Sequence, residues 1–421
     1  MNDFTLPNPK YGLDAPFCLA LAALLSWGLV MVASASVAVG EKLGGSSMFF
    51  FWRQLIFIAI GLAACSAMFC VPSVWWQKSR WWLLALAVVL LATVAVTGVT
   101  VNGARRWLDL PGLFRLQASE PARLAFIVWL AGHIVKRQAQ IQTTFMGFIN
   151  PMIFLAPLLF FFLMEPDLGA TVILLAVTFL MLFLGGARLL WLGLLAVLAA
   201  GLISVLVMTM AYRMKRVTSF MNPWEDALGS GFQLTQSLIA VGRGEWTGVG
   251  LGNSVQKLMY LPEMHTDFIF AILAEEFGLL GVIVLMALFG VVVWRGFKIG
   301  QVAEQLDRRF AGYLCYGLAG WMGLQALINM AVNMGALPTK GLTLPLISYG
   351  GSSLVTVSLM IGLMLRVDYE NRAALALMPK PRNRTMPGRA VQTTRPAWGL
   401  QDLLSPLRAG WTSLRSRREV A

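Results

Sequence analysis

Three carboxylates close to a membrane boundary are the residues of this sequence best placed to do chemistry. Asp267 precedes a long apolar run, and Glu275 and Glu276 lie inside that run. Ionisable groups at the depth of the lipid are costly and tend to be functional. At about 100° of rotation per residue, Glu275 lies about 80° from Asp267 around a helix, and Glu276 lies about opposite Asp267. The three acids do not share one face, and we predict an active site at this boundary.

Two adjacent arginines lie in a short loop on the same side of the membrane. Arg105 and Arg106 precede Trp107, and the planar guanidinium of arginine matches phosphate oxygens bidentately. The pair indicates that an anionic group is held there, although anchoring to lipid headgroups would place arginines at the same depth. Lys257, in the long loop before Asp267, is a further candidate cation.

A second candidate for anion binding is the segment that leads into the last apolar run. Gly350 and Gly351 allow the backbone to approach a ligand closely, and the free amides of a helix start favour anions. Ser352 follows the two glycines, and Lys340 could add a point charge. The alternative is a tight turn into the helix with close packing.

A substrate with an anionic head and an apolar tail suits this arrangement. If the head is a sugar on a lipid diphosphate, displacing the diphosphate requires charge neutralisation more than protonation, so a single general base suffices. Asp267 would take the proton from the attacking sugar hydroxyl while arginine, lysine or a divalent cation holds the diphosphate. Glycoside hydrolysis is a weaker hypothesis because it usually needs two partnered carboxyls.

Two other groups of charged residues have structural as well as functional interpretations. Glu120 and Arg123 are three residues apart, so they share a helical face and could pair with each other. Asp167, in the turn Glu165–Asp167, suits the cap of the following helix. The two acids of this turn could also form a catalytic couple.

Polar residues near the ends of later apolar runs also leave two interpretations open. His265 could relay a proton or act as a structural hydrogen-bonding group. Gln325, Asn329 and Asn333 recur at four-residue spacing and therefore lie on one helical face. Such amides usually join helices, although they could also line a polar cavity.

Composition identifies the chain as a polytopic membrane protein. Of its 421 residues, 58% are hydrophobic and 13% charged, against about 45–50% and about 25% in soluble domains. Ten apolar runs predict helices at about 15–39, 49–71, 81–101, 118–135, 149–164, 168–186, 189–212, 267–293, 310–335 and 346–365. The predicted fold class is therefore all-α, with about ten transmembrane helices and one large extracytoplasmic loop.

An even number of spans puts both termini on one side of the membrane, and the basic tail assigns that side to the cytoplasm. We predict a cytoplasmic N-terminus at 1–14, a membrane domain at 15–367 with its large loop at 212–266, and a disordered basic tail at 368–421. The cysteines lie in apolar runs without ligand-like spacing, so neither a disulfide framework nor a zinc site is expected. The sequence identifies no metal site.

Four segments carry a resemblance to a known family. They are NGARRW (Asn102–Trp107), EPDLGAT (Glu165–Thr171), PEMHTDFIFAILAEEFGLLG (Pro262–Gly281) and LPTKGLTLPLISYGGSSL (Leu337–Leu354). These segments resemble the signatures of the SEDS family, the shape, elongation, division and sporulation proteins. The resemblance extends from the first predicted helix to the tenth and excludes the N-terminus and the basic tail. Within the family, the chain is more similar to the division member than to its elongation relative.

The resemblance implies a ten-helix glycosyltransferase of the bacterial inner membrane, which polymerises lipid II into β-1,4-linked peptidoglycan strands at the division septum. The essential acid of the family's HTDF motif corresponds to Asp267. The family's Glu and Lys pair corresponds to Glu120 and Arg123, where arginine keeps the charge and changes the geometry. Lipid II carries its own activated diphosphate, so no organic cofactor is expected, although a divalent cation such as Mg²⁺ could bind.

The resemblance also implies partners, namely a class B penicillin-binding transpeptidase and other proteins of the division machinery. Nucleic acid is not an expected partner. Two alternatives stay open: an elongation-type polymerase of the same family, and a lipid II flippase, because ten helices with intramembrane acids would also serve a transporter. We favour the enzyme because the chemistry is concentrated at the outer ends of the helices.

The predicted site has one catalytic residue, Asp267. The residues predicted to contact the substrate are Arg105, Arg106, Glu120, Arg123, Lys257, His265, Glu276, Lys340, Gly350, Gly351 and Ser352.

Overall fold

The computed structural model describes residues 12–101, 104–109, 115–209 and 211–378. Within these ranges the chain forms thirteen helices and one small sheet. In chain order the elements are α1 (Ala15–Ala35), α2 (Val37–Gly44), α3 (Phe49–Cys70), α4 (Ser73–Thr97), β1 (Val99–Val101), β2 (Ala104–Asp109), β3 (Arg115–Gln117), α5 (Ser119–Thr143), α6 (Phe145–Met164), α7 (Leu168–Leu184), α8 (Leu189–Met208), α9 (Ala211–Met221), α10 (Phe232–Arg243), α11 (Ile269–Gln305), α12 (Arg309–Asn333) and α13 (Gly351–Leu377). All but α2, α9 and α10 correspond to the ten predicted runs.

Seven of the described helices, α1, α3, α4, α6, α8, α11 and α13, are long and apolar enough to cross a membrane. α7 is apolar but has 17 residues, and α5 and α12 bury polar side chains such as Glu120 and Asn329. α5 and α12 pack against each other and against several other helices. Helices shielded from lipid can hold polar residues, because those residues find partners inside the bundle. The expected all-α polytopic membrane fold is confirmed.

The chain divides into two units, Met1–Leu377 and Met378–Ala421. In the first unit, α11 packs against α12 and α1, α13 packs against α3, and α5 packs against α4 and α6. Because successive long helices alternate in direction, α5, α7, α11 and α13 all begin at one end of the bundle. We call this the site end, because Asp267 lies there, and the other the opposite end.

α13 runs beyond the apolar run that predicted it, to Leu377. The added turns carry charges that pair along the helix: Arg366 Nε lies 2.7 Å from Glu370 Oε1. Such pairs support a helix where apolar residues end. α13 therefore passes the predicted domain boundary at residue 367. The rest of the predicted termini, 1–11 and 379–421, lies outside the described residues.

The connection between α4 and α5 at the site end forms a three-stranded antiparallel sheet, which the sequence did not predict. β1 pairs with β2, and β2 pairs with β3. Trp107 of β2 is opposite Val99 on one side and Gln117 on the other. Because successive side chains of a strand point to opposite faces, the sheet separates the side chains of Arg105 and Arg106.

α11 is broken at Gly278, where φ is 64° and ψ is −164°. Four backbone hydrogen bonds connect the loop after α10 to the break: Val249 N to Glu275 O (2.9 Å), Gly250 N to Glu276 O (3.0 Å), Leu279 N to Glu245 O (2.9 Å) and Leu280 N to Trp246 O (3.1 Å). Backbone groups freed at membrane depth need partners inside the protein, and the loop supplies them. The short helical segment Ile269–Phe277, which follows Asp267, is thereby fixed to the loop.

Replacing Gly278 by alanine is expected to lower the free energy of unfolding by about 1–3 kcal/mol, because this backbone conformation is essentially restricted to glycine. The new Cβ would also lie 2.7 Å from the Gly244 carbonyl oxygen. Denaturation in detergent measures the change. The matched control is Gly290→Ala in the same helix, where no other atom lies within 4 Å of the new Cβ. Equal stabilities of the two variants would contradict the constraint at Gly278.

Candidate active site

The backbone of Asp267 is held by two asparagines of α12. The Asp267 carbonyl oxygen accepts hydrogen bonds from Asn329 Nδ2 at 2.9 Å and from Asn333 Nδ2 at 3.1 Å. The loop before α13 passes against the carboxylate, since a Cβ at Gly341 would lie 3.2 Å from Asp267 Oδ2. The side chain of Asp267 is partly buried. The predicted catalytic acid therefore sits on a fixed backbone between α12 and this loop.

The amide face of α12 also holds the loop that precedes α13. Asn329 Nδ2 donates to the Leu342 carbonyl at 2.5 Å, and Gln325 Nε2 donates to the Thr343 carbonyl at 2.9 Å. Gln325 in turn accepts from Trp321 Nε1 at 2.7 Å. The predicted shared face is confirmed. The amides donate to the backbone carbonyls of Asp267, Leu342 and Thr343. They therefore join α12 to neighbouring segments of the chain, and these segments are loops.

Two further bonds join the loop before α13 to the residues preceding Asp267. Ser348 Oγ donates to the Thr266 carbonyl at 2.6 Å, and Tyr349 N donates to the His265 carbonyl at 2.9 Å. The His265 ring lies 4.6 Å from the Phe50 ring and 5.6 Å from the Tyr349 ring, centroid to centroid. Burial lowers the pKa of His265, which favours the neutral imidazole. The structure gives His265 an aromatic packing role, and its contact with substrate stays a prediction.

The electrostatic surroundings of Asp267 favour a proton acceptor that works near neutral pH. Burial and the nearby Glu263 carboxylate raise its pKa to about 7, and Asp167 acts in the same direction. Arg106 and Arg216 oppose this shift. A general base is most effective when its pKa lies near the operating pH. Arg216, on α9, is a site cation that the sequence analysis missed, because charges in long loops carry little topological information.

Arg106 also fixes the turn between α6 and α7. Its Nε donates to the Glu165 carbonyl at 2.8 Å, and its Nη2 donates to the Pro166 carbonyl at 2.6 Å. Arg105 points elsewhere, with Nη1 3.2 Å from the Ala95 carbonyl near the end of α4. The last turn of a helix attracts cations. Of the predicted pair, only Arg106 is among the described residues whose charge lowers the pKa of Asp267.

The turn held by Arg106 contains two acids with different surroundings. Asp167 caps α7, because its Oδ1 accepts from Ala170 N at 3.0 Å, and this confirms the capping interpretation. Its Oδ2 accepts from Ser119 Oγ and Gln117 Nε2, both at 3.1 Å. Glu165 is 1% exposed, and burial together with Asp167 raises its pKa to about 8. Glu165 therefore carries a proton at neutral pH in most molecules.

Glu120, Arg123 and Ser352 form one buried cluster between three helices. Arg123 Nη2 lies 3.8 Å from Glu120 Oε1, as the spacing predicted. Ser352 Oγ donates to Glu120 Oε2 at 3.1 Å, which joins α13 to α5. The Arg123 guanidinium lies 4.6 Å from the Trp321 ring centroid on α12. The cluster thus connects three elements of the site end, and substrate contact by its members stays a prediction.

Lys340 and the two glycines lie at the same end. Burial lowers the pKa of Lys340, and the negative charge of Asp167 opposes that shift. A Cβ at Gly351 would lie 2.7 Å from the Phe57 ring, which explains this glycine by the packing of α13 on α3. A Cβ at Gly350 would make ordinary contacts at 3.5 Å.

Lys257 and Glu276 pair with each other inside the protein. Lys257 Nζ lies 3.2 Å from Glu276 Oε1 and 3.2 Å from Ser34 Oγ. Glu275 pairs with Arg243, whose Nη1 lies 3.0 Å from Glu275 Oε1. Both intramembrane acids therefore join the large loop to α11, and the partner that the sequence could not name is now identified for each.

A family model described as a cell cycle protein, FtsW/RodA/SpoVE, matches residues 15–373 of this chain. The chain belongs to this family. It is the SEDS family that the four motifs indicated.

Curated relatives of this family member share about half of its residues. A protein of Thioalkalivibrio sulfidiphilus (strain HL-EbGR7) named "Probable peptidoglycan glycosyltransferase FtsW" is 50% identical over 360 residues, which cover 85% of this chain and 90% of the relative. A protein of the same name from Aliivibrio salmonicida (strain LFI1238) is 45% identical over 373 residues, which cover 89% of this chain and 93% of the relative.

Solved structures share the fold of this family member. A chain described under "Structural coordination of polymerization and crosslinking by a peptidoglycan synthase complex" has a TM-score of 0.69 and 27% identity, covering 86% of this chain and 98% of that chain. The rod shape determining protein RodA of Thermus thermophilus has a TM-score of 0.62 and 26% identity, covering 86% of this chain and 98% of that chain.

The side chains that act on Asp267 in this SEDS member are two acids, two cations and two amides, namely Glu263, Asp167, Arg106, Arg216, Asn329 and Asn333. Within the described ranges, no group of three or more His, Cys, Asp or Glu side chains is arranged to hold a metal ion. Arg106 and Arg216 are the two cations that act on Asp267 most directly.

Proposed function

We propose that this SEDS protein is a peptidoglycan glycosyltransferase, which polymerises lipid II into β-1,4-linked glycan strands. The observation that carries the proposal is Asp267, an acid with a pKa of about 7 on a backbone fixed by α12. The names of relatives at 45–50% identity support the same activity. An acid with this pKa can take a proton from a sugar hydroxyl as the new bond forms and release it to water afterwards.

The proposed reaction is a single displacement. The acceptor's sugar hydroxyl oxygen forms a bond to the anomeric carbon of the donor, and the bond from that carbon to the lipid diphosphate breaks. The hydroxyl proton passes to the Asp267 carboxylate, and the diphosphate leaves with the electron pair. Cations near the developing charge lower the barrier without a second acid. Arg106, Arg216 and Lys340 are the candidates for this role.

We also propose that the reaction needs no organic cofactor, since lipid II carries its activated diphosphate. A divalent cation such as Mg²⁺ on that diphosphate is compatible with this scheme.

The proposed orientation puts the site end outside the cytoplasmic membrane and both termini in the cytoplasm, with the protein acting at the division septum. Two arginines at the opposite end, Arg295 and Arg308, support this by the positive-inside rule. Arg295 pairs with Asp14 beside the start of α1, and Arg308 pairs with Glu370 of α13.

The proposed partner is a class B penicillin-binding transpeptidase, within the wider division machinery. The chain is similar to one from a peptidoglycan synthase complex whose description names both polymerization and crosslinking. This similarity supports a partner that crosslinks peptidoglycan. Weak polymerisation by the isolated protein and stronger polymerisation with the partner are expected.

Purified protein supplied with lipid II, with and without the transpeptidase, tests the proposal. Glycan strands resolved by gel electrophoresis are the expected product. If no strands form with either preparation, and lipid II instead crosses vesicles that contain the protein, the flippase alternative replaces the proposed activity.

The rate of polymerisation is expected to fall as the pH drops through about 7, because protonation of Asp267 removes the base. Replacing Glu263 by glutamine removes a neighbouring negative charge that raises the pKa of Asp267, so the acid limb of the rate profile should move to lower pH. Initial rates between pH 5 and 9, taken as a range of about two units on either side of that pKa, measure the shift.

The control for this prediction is Glu225→Gln, which removes an exposed acid of the same loop. Glu225 is not among the groups that shift the pKa of Asp267. The pH–rate profile of Glu225→Gln should therefore match that of the unchanged protein. An acid limb that stays in place in Glu263→Gln would contradict the assignment.

A further inference from the structure

A cleft of about 430 Å³ opens at the opposite end of the bundle, away from Asp267. Its lining comes mainly from the last turns of α11, with contributions from α7 and α12. Trp294, Phe297, Lys298, Gln301 and Glu304 line it from α11, and Tyr316 lines it from α12. These α11 residues recur every three or four positions, so they share one helical face.

α11 and α12, which both line the cleft, approach each other closely beside it. Gly312 of α12 lies against Gly300 of α11, where an added Cβ would be 3.0 Å from the Gly300 carbonyl oxygen. The Tyr316 ring packs beside Gly300 and stacks on the Phe297 ring, with centroids 5.4 Å apart and planes 24° apart. The two stacked rings therefore form an aromatic part of the cleft lining.

The two charges of the cleft have opposite signs and are not paired with each other. Lys298 Nζ lies 5.3 Å above the Trp294 ring, and Glu304 Oε2 accepts a hydrogen bond from Tyr316 Oη at 3.0 Å. Neither forms an ion pair within the described residues. Six residues of helix separate them, a rise of about 9 Å. Both side chains are exposed and can turn toward a ligand between them.

We propose that this cleft binds the headgroup of a phospholipid that carries both a phosphate and a primary ammonium, as phosphatidylethanolamine does. Lys298 would pair with the phosphate, and Glu304 would accept hydrogen bonds from the ammonium. Charge-assisted hydrogen bonds of this kind are about twice as strong as neutral ones. Trp294 and Tyr316 suit the glycerol region, since these side chains favour the membrane interface.

Charge complementarity selects this headgroup over the two other common kinds. An anionic headgroup such as phosphatidylglycerol would satisfy Lys298, but it has no ammonium to offset the repulsion between its phosphate and Glu304. A choline headgroup carries the same two charges, but its quaternary nitrogen has no N–H to donate to Glu304. The site lies at the end of the bundle opposite Asp267, so it is separate from the proposed glycosyl transfer.

Lipid retention by the full-length protein tests the proposal. The protein is exchanged into detergent that contains equal amounts of phosphatidylethanolamine, phosphatidylglycerol and phosphatidylcholine of the same acyl chains, and bound lipids are counted by native mass spectrometry. Phosphatidylethanolamine is expected to be retained about tenfold over the other two, the ratio that one additional charge-assisted hydrogen bond supports.

Charge-changing variants make the test specific to the cleft. Glu304→Gln should lose the preference and bind phosphatidylglycerol more strongly, because the repulsion is removed while Lys298 stays. Lys298→Gln should lose retention of all three lipids. Lys78→Gln, an exposed lysine of α4 at the same end, should behave like the unchanged protein. Equal retention of the three lipids, a preference for phosphatidylglycerol in the unchanged protein, or no effect of Glu304→Gln would overturn the proposal.

Discussion

Asp267→Asn is expected to lower the rate of glycan-strand formation from lipid II by about 100- to 10,000-fold, the range that general base catalysis contributes. The carboxamide has nearly the shape of the carboxylate but cannot accept the hydroxyl proton. The backbone carbonyl of residue 267 still accepts from Asn329 and Asn333, so the site keeps its geometry. Single-turnover polymerisation with the transpeptidase partner present measures the chemical step.

The matched control is Asp109→Asn, in the sheet at the same end. Asp109 pairs with Arg115 at 2.9 Å, and its side chain is 51% exposed. Exposed pairs of this kind contribute about 0–1 kcal/mol, so the rate and the stability should be unchanged. Strand formation at the normal rate by Asp267→Asn would show that Asp267 is not the base. An equal fall in the rate of strand formation by Asp109→Asn would indicate a general structural change at the site end.

Lys257→Met is expected to lower the free energy of unfolding by about 3–5 kcal/mol, the usual cost of leaving one partner of a buried ion pair alone. The side chain of Glu276 is 0% exposed and that of Lys257 is 10% exposed. Without the ammonium, Ser34 Oγ at 2.7 Å is the one donor to the Glu276 carboxylate among the described residues. Denaturation of the purified protein in mixed micelles measures the change.

The double variant Lys257→Met, Glu276→Leu separates a structural pair from a substrate contact. Replacing both charges by apolar groups is often neutral for stability, so the double variant should recover most of the loss. If Lys257 instead binds the diphosphate, the double variant will regain stability while its KM for lipid II stays raised. Lys42→Met, at an exposed position of α2, controls for the loss of a positive charge. A stability change in Lys257→Met no larger than in Lys42→Met would contradict the buried pair.

Asp267 and the Lys257–Glu276 pair belong to one arrangement around the start of α11. Asp267 is the proposed base, while Lys257 and Glu276 attach the large loop to α11 nine residues further along. The break at Gly278 and its loop hydrogen bonds lie next to that pair. The segment that follows Asp267 is therefore fixed at both ends, by α12 at Asp267 and by the loop at Gly278.

The sequence by itself determined the ten long helices, and it singled out the acid that we propose as the catalytic base. Lipid cannot satisfy backbone hydrogen bonds, so each long apolar run had to be helical. The capping role of Asp167 and the pairing of Glu120 with Arg123 also followed from the sequence, because both depend on residues a few positions apart. Asp267 was singled out by the HTDF motif, a local pattern as well.

Only the tertiary structure decided which residues act on Asp267. Asn329 and Arg216 are far from it in the chain, and local periodicity contains no information about contacts at such separations. The same reason explains why Lys257 and Glu276, which were predicted to contact the substrate, are found paired with each other. Gly278 lay inside the run that predicted one continuous helix, so the sequence analysis did not predict the break. It exists because a distant loop offers the partners that the freed backbone needs.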